Sequence, residues 1–209
     1  MLLLAAMMCA SSAKEVCTLA VTEPIRSKRL IRQISENFIR DGKLRDNALF
    51  VLGTYTAMRI SDLLALKWEQ VYSDADARFY THITIREGKT GKLRTVAVNS
   101  HALEALKALL PLRKGVYVFS NGRTPEKPIC RAQAWRIIRA AAEKAGAEGN
   151  ISCHSLRKTW GYHAWQDQNV SPVVIMQVYN HPSFEVTKRY LGVEQDELDQ
   201  VYLSMNLEE

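Results

Sequence analysis

The hydrophobic period of this 209-residue chain changes once, and the change limits the folds open to it. Residues 82–86 (His-Ile-Thr-Ile-Arg) and 93–98 (Leu-Arg-Thr-Val-Ala-Val) alternate and are rich in β-branched side chains, the pattern of strands. Between them lies Glu87-Gly88-Lys89-Thr90-Gly91-Lys92, a glycine-bearing turn. The two runs therefore predict one β-hairpin with lysines at its tip. Elsewhere the period is helical. Thr22-Glu23-Pro24 reads as a helix start, with Ile31, Ile34 and Phe38 on one face up to Asp41-Gly42. A second helix from about Leu44 buries Leu49, Leu52, Tyr55 and Met58. Arg59 stands at its end, and Ser61 is placed to cap a short helix over 62–66. Residues 68–72 could add a third strand. Ser100 caps a helix that buries Leu103, Leu106, Leu109 and Leu110. A strongly helical stretch over 131–145 turns Trp135, Ile138 and Ala142 inward and leaves Arg136, Arg139 and Lys144 on other faces. Beyond Gly149 the chain is mostly helical. The predicted class is α+β, mostly α-helical, with one small antiparallel sheet.

Hydrophobic residues make up 47% and charged residues 24%, which excludes collagen-like, low-complexity and disordered chains. Cys9, Cys17, Cys130 and Cys153 are too sparse and irregular for a disulfide scaffold or a zinc site. Free thiols in a reducing, cytoplasmic compartment are expected. The longest apolar run, residues 1–10, falls well short of the roughly 20 residues a membrane-spanning helix needs. No Lys or Arg precedes it, as a signal peptide would require, so it reads as a short docking helix or an early start codon. The net charge of +6 is unevenly spread. Residues 1–175 hold 26 basic and 15 acidic side chains; residues 176–209 hold 2 and 7. A basic body with an acidic tail suits a polyanionic partner, most often nucleic acid, or is simply a basic surface.

Four features could carry chemistry. His154-Ser155-Leu156-Arg157 puts an imidazole and a guanidinium on one helix face, three residues apart. Alone, that spacing is common. Arg59 and Asp62 have the same spacing; they make a structural ion pair, or Asp62 holds a phosphate-binding arginine in place. Lys89 at the hairpin tip is a solvated turn residue, or a proton donor to a leaving alkoxide. His181 precedes Tyr190 by nine residues in a polar segment, where a lone tyrosine normally packs or docks.

Taken together these residues are far more specific than any one of them. The order Arg59, Lys89, His154-x-x-Arg157, His181, Tyr190 resembles the tyrosine recombinases, the phage integrase and Xer-type group of site-specific DNA recombinases. The likeness runs from about Thr22 to Tyr202. It is carried by Tyr55-Thr56-Ala57-Met58-Arg59-Ile60-Ser61-Asp62-Leu63-Leu64-Ala65-Leu66, the Lys89-Thr90-Gly91-Lys92 turn, His154 to Thr159, and Asn180-His181 through Tyr190. The resemblance implies that Arg59 and Arg157 clamp the scissile phosphate, a task suited to a planar, always charged, bidentate guanidinium. His154 and His181 would hydrogen-bond the phosphate oxygens, and Lys89 would protonate the 5′ oxygen. Tyr190 would attack, giving a 3′-phosphotyrosyl enzyme that a 5′ hydroxyl then resolves. A phenol with a pKa of about 10 resists ionisation at pH 7 by roughly 4 kcal/mol, which a neighbouring base and a cationic pocket offset. No nucleotide cofactor and no metal ion is expected.

The resemblance also frames the rest of the chain. Residues 1–20 are expected to form a short N-terminal extension and 21–209 the catalytic domain, with a helical tail over about 194–209. No separate core-binding domain is expected, as in the short invertases of fimbrial promoters; a truncated integrase fits equally. Lys158 and Asn180 stand where many members carry His and Gly. Lys92, Arg94, Arg131, Arg136 and Arg139 are candidate DNA contacts or solvated surface. The tail, with Leu198, Val201, Tyr202 and Met205 on one face, docks on a neighbouring protomer in a ring of four on DNA, or on its own subunit. The expected partner is double-stranded DNA, with the protein cytoplasmic and associated with the nucleoid. A DNA-binding remnant that has lost catalysis and a site-independent relaxing topoisomerase are the alternatives.

Overall fold

A computed structural model describes residues 22–191 and 202–205. The expected N-terminal extension and most of the expected tail lie outside the described residues. Among the described residues these α-helices and short strands follow in order: α1 (Lys28–Arg40), α2 (Leu44–Tyr55), α3 (Ile60–Leu64), β1 (Tyr72–Ser73), β2 (Arg78–Phe79), β3 (His82–Arg86), β4 (Leu93–Ala97), α4 (Ser100–Leu109), α5 (Arg131–Lys144), α6 (Cys153–Gln166), α7 (Pro172–Tyr179) and α8 (Phe184–Leu191). The mostly helical α+β class read from the periodicity is the class observed.

The centre of the molecule is α2. Every residue from Asn47 to Thr54 on it is buried, so it packs on all sides, against α1, α4 and α6. Its buried polar groups are satisfied locally. Ser35 donates to the Asn47 amide oxygen at 2.7 Å, and the Thr54 hydroxyl donates to the Phe50 carbonyl at 2.8 Å. Strand β3 pairs antiparallel with β4, from His82 opposite Ala97 to Arg86 opposite Leu93. Ile83 and Ile85 face the core while His82, Thr84 and Arg86 face out, which is the alternation the sequence predicts.

Several local expectations are corrected. The first helix starts at Lys28, not near Pro24, because the Ser27 hydroxyl caps it by accepting from Leu30 N at 3.2 Å. Residues 22–27 run non-helically instead and are pinned to the core. Glu23 N donates to Asn150 O, Ile25 N to the Thr159 hydroxyl at 2.8 Å, and the buried Lys158 ammonium to Thr22 O at 2.6 Å. Arg59, not Ser61, is the N-cap of α3, and Asn99, not Ser100, caps α4 through the Ala102 amide. Trp68–Gln70 is a 3-10 turn rather than a strand. The Gln70 side chain accepts from Lys67 N there, and Trp68 N is held by Val116 O. Strands β1 and β2 pair only with each other, so there are two small sheets. On α5, Trp135 faces outward, 45% exposed, with Arg139 over its ring; Ala134, Ile138, Ala141 and Ala142 form the buried face.

A second, smaller apolar cluster joins Ala57 to Ala164, Ile175 and Tyr179. It locks α7 onto α6 at Gly161, where the Tyr179 phenol lies 2.1 Å from the position a Cβ would take. That phenol donates to the Arg157 carbonyl at 2.7 Å. Gly161→Ala should therefore push Tyr179 off α6 and lower stability by roughly 1–3 kcal/mol. Urea unfolding of the variant, read beside wild type, checks this.

Candidate active site

The site grows from one strained turn. After α2 the chain passes through Ala57 with φ 53°, a left-handed conformation rare for a residue with a side chain, in a fully buried position. This turn aims the Thr56 and Ala57 carbonyls at two arginines. Arg94, from β4, donates to Thr56 O at 2.8 Å and Ala57 O at 3.2 Å. Arg157, from α6, donates to the same Ala57 carbonyl and to Tyr179 O at 2.8 Å. Its guanidinium also lies 4.4 Å from the centre of the Tyr179 ring, a desolvated cation–π contact. Arg157 is 2% exposed, so it is a fixed charge.

Two residues past Ala57, Arg59 leaves the chain from extended backbone at the start of α3. Its ion pair is made with Glu87, not with Asp62: Nη1 lies 2.7 Å from Glu87 Oε1. Asp62 instead accepts from Gly88 N at 3.1 Å, tying α3 to the hairpin turn. Glu87 is fully buried. Its other oxygen accepts from the Thr90 hydroxyl at 2.8 Å and the Asn180 amide at 3.1 Å. Burial alone would raise its carboxyl; the Arg59, Thr90 and Asn180 donors overcome that and hold it down at about 2. By local pattern Glu87 reads only as the first residue of a glycine-bearing turn. Its signal was parity: Ile83 and Ile85 point inward, and position 87 continues that side of the strand.

Asn180 ends α7 in the left-handed region (φ 54°), which an asparagine tolerates better than most residues with a side chain. The turn delivers His181, whose Nδ1 lies 3.1 Å from the hydroxyl of buried Thr187 on α8. Burial pushes the His181 imidazole down to about 4, and Arg157 and Arg59 add to the shift. His154, one turn before Lys158 on α6, is exposed as a residue while its ring is partly desolvated. Burial and the Lys158 and Arg157 charges push it down to about 4 as well. Arg157 bonds Tyr179 O, the Tyr179 ring lies 4.9 Å from the His181 ring, and Arg59 is joined through Glu87 to Asn180, so Arg59, Arg157 and His181 converge, with His154 one turn before Arg157 on α6. Lys89 is exposed at the hairpin tip, next to Thr90. Tyr190 lies on α8; the backbone of that helix is described and the Tyr190 side chain is not among the described groups.

The candidate DNA contacts divide. Arg131, Arg136 and Arg139 are exposed on α5. Lys92 is exposed on the hairpin, its ammonium 3.5 Å from the Asn180 side-chain oxygen. Arg94, expected to face a DNA backbone, is turned into the protein, its side chain 10% exposed and committed to Thr56, Ala57 and Glu87. Among the described residues no three His, Cys, Asp or Glu side chains gather in a way that could hold a metal ion. None of the described helices is long and apolar enough to cross a membrane.

Residues 25–197 match the phage integrase family. The chain belongs to that family, the tyrosine-type site-specific DNA recombinases. It is similar to the probable integrase/recombinase YoeC of Bacillus subtilis, at 35% identity over 84% of this chain and 92% of that protein. It is also similar to the tyrosine recombinase XerA of Pyrococcus furiosus, at 28% identity over 86% of this chain and 59% of that one. Two solved structures share the fold. One is XerH bound to palindromic difH substrate after cleavage (TM-score 0.70, 18% identity, 85% of this chain and 51% of that one). The other is a lambda integrase tetramer bound to a Holliday junction (TM-score 0.62, 17% identity, 84% and 51%). The chain thus spans nearly all of YoeC and little more than half of XerA, XerH and lambda integrase.

Both histidines make stability acid-sensitive in a defined window. Their pKa values lie below the ordinary 6.5, so on acidification the unfolded chain takes up these protons first. The stabilisation is complete above pH 6.5 and is lost as pH falls from there toward 4. Glu87 loses its contribution lower, between 4.5 and about 2. Urea midpoints should fall across the upper window, and His154→Gln combined with His181→Gln should flatten that fall. An equally steep fall in the double variant would place the acid sensitivity on other groups.

Proposed function

We propose that this chain cuts and rejoins double-stranded DNA by transesterification at Tyr190. The observation that carries the reading is the convergence of three separate parts of the chain: Arg157 of the His154-x-x-Arg157 helix bonds Ala57 O and Tyr179 O, the Tyr179 ring lies 4.9 Å from the His181 ring, and Arg59 is joined through Glu87 to Asn180. In it Arg59 and Arg157 bind the scissile phosphate and stabilise the extra charge of its five-coordinate transition state. His154 is neutral at pH 7, so it can accept the Tyr190 proton; His181 hydrogen-bonds a phosphate oxygen. Tyr190 Oη bonds to phosphorus as the 5′ oxygen leaves, and Lys89 on the hairpin gives that oxygen its proton. Attack by a 5′ hydroxyl reverses the sequence and releases Tyr190. The phosphodiester energy is conserved in the phosphotyrosyl bond, so the cycle requires no nucleotide.

The unit at work is a ring of four copies on two duplexes. A mostly apolar groove of about 860 Å³ lies between α1, α2, α4 and α6, lined by Ile31, Ile39, Phe50, Tyr55 and Trp160 and rimmed by charges of both signs, Lys28 and Arg32 with Glu36, Glu104 and Asp167. Its proposed occupant is the segment 194–209 of a neighbouring copy, whose sequence spaces Leu198, Val201, Tyr202 and Met205 as one side of a helix would.

A DNA duplex nicked just past a candidate cleavage site lets the cut fragment diffuse away and traps the covalent intermediate. Repeats flanking the native gene are the substrates to screen. Wild type should give a slow-migrating protein–DNA band on a denaturing gel, and Tyr190→Phe none. Lys89→Ala should slow its formation by roughly 100-fold or more. Band shifts in native gels with no covalent band on any repeat would favour a DNA-binding protein without catalysis.

Lys92 and Arg94 should behave oppositely. Lys92→Ala should leave the urea midpoint unchanged and reduce the slope of log affinity against log salt by about 1. Arg94→Ala should lower the midpoint, because its loss leaves the buried Thr56 carbonyl without that donor and removes one of the cations facing Glu87. Fluorescence anisotropy on labelled duplex, run over a salt series, reads the first effect.

A further inference from the structure

A carboxylate beside a phosphate-binding site has the wrong sign for binding, and Glu87 is buried there nonetheless. Its two oxygens serve different elements. Oε1 pairs with Arg59 at 2.7 Å and faces Arg94 at 3.8 Å. Oε2 accepts from Thr90, the neighbour of Lys89, and from Asn180, the neighbour of His181. One carboxylate thus touches one of the proposed phosphate-binding residues and stands a single residue away from two others. We infer that Glu87 is a positioning residue for strand cleavage. It fixes one edge of the Arg59 guanidinium so that the other edge is presented to phosphate. Through Thr90 and Asn180 it holds the hairpin that carries Lys89 and the turn that carries His181 in register with that edge. The inference rests on the strand-cleavage reading above.

The geometry explains why a carboxylate is required. Every group around Glu87 is a donor: a guanidinium, a hydroxyl and an amide N–H. Glutamine has the same shape, but its NH2 would face a donor whichever way it turned. Either Arg59 or the Thr90–Asn180 pair would then be released. Three groups must meet the phosphate together, so loss of one anchor affects chemistry more than binding.

The consequence is a split between two measurements. Removing a negative charge near the phosphate should leave DNA binding unchanged or tighter. The same change should slow covalent capture by roughly 10- to 100-fold, the usual effect of losing a group that orients a reacting side chain. A merely structural role would weaken binding and capture together. The test compares wild type, Glu87→Gln, Glu87→Asp and Tyr190→Phe on one nicked duplex. It reads single-turnover capture rate, duplex affinity by anisotropy, and the urea midpoint. Glu87→Gln is expected to capture slowly with undiminished affinity, and Glu87→Asp, which keeps the charge on a shorter arm, to fall between it and wild type. Should Glu87→Gln fail to fold, the Asp variant decides, and a wild-type capture rate in it overturns the inference. Capture by Glu87→Gln within about threefold of wild type, or slowed in step with lost affinity, overturns it too. No capture by wild type itself would overturn the strand-cleavage reading and this inference with it.

Discussion

Guanidinium groups repel one another, and this protein holds three of them around one strained turn. Unit charges about 4 Å apart interact by roughly 4 kcal/mol at the dielectric typical near a protein surface. The cluster is stable because it is supplied with acceptors. The Thr56 and Ala57 carbonyls take Arg94 and Arg157, and Glu87 takes Arg59. The left-handed backbone at Ala57 costs about 1–2 kcal/mol and is what turns these carbonyls inward. Without that turn, Arg157 would be a buried charge lacking one of its acceptors, among the more costly defects a core can hold.

The turn is in turn held by the core. Residues just before it belong to α2, which is buried all round, so the end of that helix has little freedom to move. Ala57 itself packs with Ala164, Ile175 and Tyr179, so the same residue joins α6 to α7. Tyr179 serves both sides of this joint. Its phenol bonds the Arg157 carbonyl, its ring lies against the Arg157 guanidinium, and its own carbonyl accepts from that side chain. One residue further, Asn180 reaches back to Glu87 on the hairpin. The site is thus closed by contacts between residues far apart in sequence, each satisfying a group that would be costly to bury alone.

Much of the fold was legible because it is written in local periods. The hairpin follows from alternation and two glycines, and the helices from apolar spacing. Errors fell where two local readings competed. Pro24 is a good first-turn residue, but the Ser27 cap and the burial of Ile25 keep 22–27 out of the helix. Trp135 looked like a core residue because it is large and apolar; small alanines fill that interface, and the tryptophan serves as a platform for Arg139. In the site, the residue types and their order were legible, but partner choice was not. Arg59 has Asp62 three residues away and pairs with Glu87 twenty-eight away, while Asp62 accepts from the Gly88 amide. Lys92 ends the hairpin turn and Arg94, two residues on, lies on β4; Arg94 is turned inward and Lys92 is exposed, since the Thr56 and Ala57 carbonyls are within reach of Arg94.

Local period and residue types in a fixed order were enough to read the class of fold and the family from the chain. Which cation meets which acceptor was settled by packing alone. That choice depends on burial, which turns a solvated turn glutamate into the common anchor of Arg59, Thr90 and Asn180 and holds two histidines neutral beside two arginines. Desolvation is a property of the packed chain, and no local pattern encodes it.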